Sequence, residues 1–184
     1  MIALDIDLCF LVLRIRSDRC RFIDGHRINV SPRPGVRNRP MIVRETIYAA
    51  LWELAASAAQ FTSTNRRLRH WTDVAPAEQP ALFMSEKGGQ AAIKKLGTPI
   101  VWTLYADFYL YAHSSDPYLA PVTILNPLLD AFEAALAPSP TTGIQNLGLP
   151  QMVQHAYIVG KIQTDEGVLG DQAIAIVPVE ILCI

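Results

Sequence analysis

The stretch WTLYADFYLYAH, residues 102–113, alternates without a break. Trp102, Leu104, Ala106, Phe108, Leu110 and Ala112 fall on one side, and Thr103, Tyr105, Asp107, Tyr109, Tyr111 and His113 on the other. A strand points successive side chains to opposite faces, so the pattern predicts one long β-strand with a dry face. The second face sets three tyrosines beside an aspartate and a histidine, with no evident nucleophile. That composition suits contact more than chemistry.

Upstream of this strand, residues 44–59 place Ile47, Leu51, Leu54, Ala55 and Ala58 at helical spacing among many alanines, which predicts an amphipathic helix. FTSTN, residues 61–65, reads as the turn that leaves it. Two short strands are expected at about 66–72 and 80–86, separated by DVAPAE, where Pro76 and Pro80 oppose helix. Gly88 and Gly89 then open a stretch that closes at Gly97 and Pro99 and carries Lys94 and Lys95. We expect a mobile loop of about ten residues there, able to touch a partner, with a plain solvated loop as the alternative.

Downstream, Val122, Leu125, Leu129, Phe132 and Leu136 predict a second helix over 122–137. Either Asn126 caps a helix that begins at Pro127, or the helix starts near Pro121 and kinks. Two further strands, about 155–164 and 173–182, read as a hairpin joined by DEGVLGD. Ile158 and Ile162 share a face in the first, and the second is apolar on both sides apart from Glu180, so it is buried under helices or against a neighbouring subunit. Pro178 has no N–H to give, which marks an edge or a bulge. The expected fold is α+β, a mixed or antiparallel sheet of four to five strands with two main helices packed on one face.

The chain has 184 residues, 51% hydrophobic and 18% charged, enough for one sizeable core. No apolar run approaches the roughly 18 residues of a membrane span, and Asp5 and Asp7 precede the first apolar stretch, the wrong order for a secretory signal. Cys9, Cys20 and Cys183 are odd in number and scattered, which fits a reducing cytoplasm rather than a disulfide scaffold. Charge is uneven: residues 1–40 hold eight arginines and four aspartates, residues 41–184 eight basic and thirteen acidic side chains. A basic arm can bind phosphates, but SPRPGVRNRP at 31–40 reads as a disordered linker, and Met41 follows it just ahead of the first helix. We expect translation to begin at Met41, residues 1–40 to be a disordered or spurious extension, and 41–184 to be a single domain.

The chemistry-bearing motifs are weak. Neither a serine elbow nor a phosphate loop ending in Lys-Ser or Lys-Thr occurs in the chain. Cys9, Cys20 and His26 have irregular gaps, and His70, His113 and His155 are dispersed, so no metal site is expected. Asp165, Glu166 and Asp171 form a local acid cluster without the pattern of a calcium loop, and read as a solvated hairpin tip. Arg66, Arg67 and Arg69 with Trp71 mix basic and aromatic character as single-strand nucleic-acid binders do. Three arginines on a short strand are more often a guarded sheet edge or an ion-paired interface, and we read them so. We expect no catalytic residue and no cofactor. Tyr105, Tyr109, Tyr111, Arg67, Arg69, Trp71, Lys94 and Lys95 are the candidate subunit or partner interface.

Three strings flank the WTLYADFYLY strand in order: RRLRHWTDVAPAEQPALF at 66–83, LNPLLDAFEAALAP at 125–138 and DEGVLGDQAIAIVPVEI at 165–181. Together they resemble tailed-bacteriophage tail proteins of the tail-terminator or tail-completion type, over residues 41–184. The resemblance implies a small subunit that forms a ring, commonly of six, at the head-proximal end of a tail tube. Such a ring stops tube growth and offers a surface for the head, with the tail tube protein and a head-completion protein as partners, in a virion assembled in the host cytoplasm. No reaction and no membrane is involved. A head-completion or connector protein of the phage neck, a monomeric small-ligand binding module, and a nucleic-acid binder using the arginines at 66–69 remain the alternatives.

Overall fold

In the computed structural model the chain runs through α1 (Arg44–Ala56), β1 (Ser63–Asn65), β2 (Ala81–Ala92), β3 (Val101–His113), α2 (Val122–Leu136), β4 (Val153–Ile158), β5 (Gln163–Glu166) and β6 (Gln172–Cys183). The structure describes residues 42–98, 100–166 and 170–184. The expectations for residues 1–40, for Met41 and for the tip of the last hairpin at 167–169 lie outside the described residues.

The sheet is mixed and has six strands, one more than the upper expectation, in the order β1-β2-β3-β6-β4 with β5 also paired to β6. Only the β1–β2 pair is parallel. Both helices lie on one face, as the α+β expectation has it. Leu104, Ala106, Phe108, Leu110 and Ala112 of β3 are fully buried there with Ile47 and Leu51 of α1 and Leu125 and Phe132 of α2. Phe108 and Phe132 meet edge to face at 4.9 Å between centroids, the geometry that aromatic quadrupoles favour. Tyr48 joins the buried stripe of α1, and Leu128 that of α2, whereas Val122 and Leu129 are half-buried. The helix starts at Val122, directly after Pro121, so of the two starts the earlier is taken and Pro127 sits inside it.

Four local expectations are corrected. Residues 66–72 are not a strand: the Arg67 N–H donates to Asn65 Oδ1 at 2.8 Å, turning the chain out of β1. His70 Nδ1 then accepts from the Thr72 N–H at 3.4 Å, capping a 3-10 turn at Trp71–Asp73. Side-chain acceptors here outcompete the ladder. The 61–65 turn contains β1 itself. Gly88 and Gly89 do not open a loop, because β2 runs on to Ala92 and the loop spans only 93–100. Gly88 adopts φ +83° at a β-bulge between Glu86 and Gly88, and a Cβ on Gly89 would stand 2.6 Å from Leu104 Cδ2. The glycines serve a bulge and a close approach. Finally, the 155–164 strand is two strands, broken by Gly160 at φ +72°.

β4 and β5 share one edge of β6 end to end, β4 against Val179–Cys183 and β5 against Ala173–Ile176. Pro178 lies in the gap between them. Its carbonyl accepts from the Val159 N–H at 2.9 Å. A strand residue turns its N–H and C=O to the same neighbour, so the missing N–H also faces the gap. The proline therefore occupies a central strand at the one position where its edge is interrupted.

Candidate functional site

The face of the sheet away from the helices is only partly covered. Its rows follow from the register. Tyr111 stands beside Ala81 and Ile174, then Tyr109 beside Phe83 and Ile176, then Asp107 beside Ser85 and Pro178. Tyr105 follows beside Gly88, Glu180 and Tyr157, and Thr103 beside Gln90, Leu182 and His155.

The first rows are roofed by the segment between β1 and β2. Val74, Ala81, Phe83 and Tyr111 form a second small core, with Trp71, Tyr109 and Ile174 packed at its border. Tyr111 is 3% exposed and its hydroxyl donates to the Arg69 carbonyl at 2.9 Å. Tyr111 is thus corrected as an interface candidate, because its own chain covers it. The roof is pinned by Arg69, whose guanidinium grips Glu78 at 2.8 and 3.1 Å and also donates to the Asp73 carbonyl. Glu78 accepts from the Ala75 N–H at 3.0 Å, and the Arg69 guanidinium holds its carboxyl below the usual range. Arg69 and Trp71 accordingly shape the domain itself. Arg67 is exposed beside them.

Beyond the roof the face is open. Tyr105, Tyr109, Tyr157, Ile176, Pro178 and Leu182 are all half-buried. A hollow of about 330 Å³ opens at the edge of the roof, between Leu68 and Trp71 on one side and Tyr109 and Ile176 on the other. Lys87 reaches over this surface. Its ammonium pairs with Asp107 at 3.2 Å and stands 6.0 Å from the Tyr109 ring centroid, and the bond to Asp107 raises its pKa. The Tyr157 phenol is raised by burial first and by the neighbouring Glu180 carboxylate second. Tyr157 also stacks on His155 at 5.3 Å. His155 Nδ1 accepts from the Gln145 N–H at 2.9 Å, which leaves the ring proton on Nε2.

Tyr157, Pro178 and Leu182 were absent from the sequence-based candidates because they belong to β4 and β6, whose neighbours only the topology reveals. The alternation Ile174, Ile176, Pro178 in β6 carried the signal. Lys94 and Lys95 are exposed in the 93–100 loop, apart from the tyrosine rows.

A histidine–hydroxyl contact occurs at His70 and Thr72, 2.7 Å apart and exposed, where it closes the 3-10 turn. Among the described residues no group of three or more His, Cys, Asp or Glu side chains could hold a metal ion, and no helix is long and apolar enough to cross a membrane. No protein-family model matches the chain, and neither does any of the curated proteins compared with it.

Proposed function

We propose that residues 41–184 act as a structural subunit that forms a ring on the head-proximal end of a phage tail tube, ending tube growth and offering the surface to which the head joins. The observation that carries this reading is the open sheet face, where half-buried tyrosines and aliphatic side chains stand side by side on three strands. Aromatic side chains of this kind are enriched where proteins meet. The ordered resemblance of three segments to tail-terminator proteins supports the same reading, as does a sheet with helices on one face and the other face only partly roofed. In this role the chain needs no cofactor and performs no reaction. Its partners are copies of itself, the tail tube protein and a head-completion protein.

Full burial of a large apolar side chain contributes about 1.5–3 kcal/mol. Tyr105 and Tyr109 are already partly covered, so each adds roughly 1 kcal/mol when a neighbour closes over it, before ordering costs. The test is electron microscopy of particles made without this protein. Overlong, headless tails are expected, whereas tails of normal length beside leaking heads would reassign it to the neck connector. A Tyr105→Ser, Tyr109→Ser variant is expected to assemble rings only at raised protein concentration, read by light scattering. Unchanged assembly would remove the tyrosine rows from the interface.

A further inference from the structure

The two ends of β3 carry surfaces of opposite character. At one end, in the 93–100 loop, Ile93 is 63%, Leu96 95% and Ile100 49% exposed. A solvated loop has no use for three bare aliphatic side chains in eight residues. Lys94 and Lys95 stand among them, and among the described residues no carboxylate pairs with either ammonium. At the other end, the loop that follows His113 exposes Tyr118, 96%, and Leu119, 43%, around a cleft of about 470 Å³ that Asp116 and Asp171 flank. Asp116 is held in place by its Oδ1, which accepts from the Tyr118 N–H at 2.9 Å. Asp171 Oδ2 lies 2.8 Å from His113 Nε2 and leaves its other oxygen outward on a side chain that is 63% exposed.

Between these patches lies a single strand of 13 residues, so they are separated by roughly 40 Å and cannot meet within one molecule. One is apolar and positive, the other apolar and negative. We propose that the 93–100 loop of one copy of this chain docks on the Asp116–Tyr118–Asp171 end of the next, with Leu96 in the cleft and Lys94 and Lys95 facing the two aspartates. A contact between unlike surfaces is heterologous and propagates head to tail until rotation closes it. The hollow on the open sheet face is the competing receptor, but no carboxylate lines it and its one cationic side chain, Arg69, is already paired with Glu78, so it offers nothing to the lysines that flank Leu96. The inference rests on the ring reading for its partner, a second copy, and adds to it the surfaces that join the copies.

Charge exchange tests it. Light scattering after size exclusion, over a range of concentrations, is compared for the wild type, Leu96→Ser, a Lys94→Glu, Lys95→Glu variant and an Asp116→Lys, Asp171→Lys variant. Leu96 touches almost nothing in its own subunit, so Leu96→Ser keeps the wild-type melting temperature while its association weakens at least ten-fold. Each charge variant alone is expected to be monomeric, because its ends then repel. An equimolar mixture of the two charge variants regains association, since every contact in it joins opposite charges. A wild type that stays monomeric at every concentration overturns the proposal, as does a mixture that fails to associate although both variants melt like the wild type. Rings that persist in all three variants reject this docking mode and leave the ring reading intact. Association that follows the expected pattern, in a protein whose loss leaves tails of normal length, keeps the docking mode and rejects the tail-terminator reading.

Discussion

Tyr48 ties α1 to the bulge of the sheet. Its hydroxyl, reaching from α1, donates to the Gly88 carbonyl at 2.9 Å, where the register of β2 shifts. Tyr48→Phe is expected to cost about 0.5–1.5 kcal/mol in chemical denaturation, the net worth of a buried hydrogen bond. Gly88→Ala should cost about 1–2 kcal/mol, because φ +83° strains any residue with a Cβ. Two buried acids contribute to the alkaline limit. Burial pushes the Tyr111 phenol up to about 12 from 10.0 and the Cys183 thiol up to about 11 from 9.0. Both hold their protons longer when folded, so the native state binds more protons than the unfolded one between pH 9 and pH 12. Stability that is complete below that window drains away as pH rises through it. Urea midpoints taken across the window are expected to fall, and to fall less steeply in a Tyr111→Phe, Cys183→Ala variant. None of these residue roles was legible beforehand. Helical spacing does not pick out Tyr48, and Gly88 reads as the start of a loop, because the bulge that links them exists only once β2 and β3 are paired.

Elements were legible where one periodicity ran long enough. β3 alternates for a dozen residues, and α2 carries apolar side chains on a helical stripe, so both emerged with nearly correct bounds. The short strands did not. β1 has three residues, and β4 and β5 are separated by so little chain that their combined pattern reads as one strand. The helices are fastened unequally. α2 inserts Phe132 fully into the core, and Phe132→Ala is expected to cost about 3–5 kcal/mol. α1 is also tied electrostatically, since Arg66 bridges Glu45 of α1 at 2.5 Å and Glu86 of β2 at 2.7 Å. The carboxylates raise the guanidinium pKa further, Glu45 first. These groups stay substantially exposed, so Arg66→Ala should lose no more than about 1 kcal/mol. The loss should shrink in molar salt, where the screening length falls to about 3 Å; an unchanged loss in salt would mean that packing, not charge, is what Arg66 supplies.

At the scale of the whole molecule, the class of fold followed from counting helical and strand periods, but the strand order did not. Nothing in the spacing of residues 172–183 says that this segment lies between β3 and β4; its apolar character on both sides says only that both sides are covered. The candidate surface suffered from the same gap: the tyrosines of β3 were visible, and the neighbours that turn them into a face were not. The position of β6 has a consequence for biogenesis. A ribosome delivers this strand after α1 through β5, yet it is the strand that joins the β1–β2–β3 half of the sheet to β4 and β5. Until it emerges, β4 and β5 have no strand to pair with and one edge of β3 is uncovered. A fragment stopped before Gln172 is therefore expected to be captured by chaperones or degraded rather than to persist as a smaller domain, so maturation of this domain waits on residues 172–183.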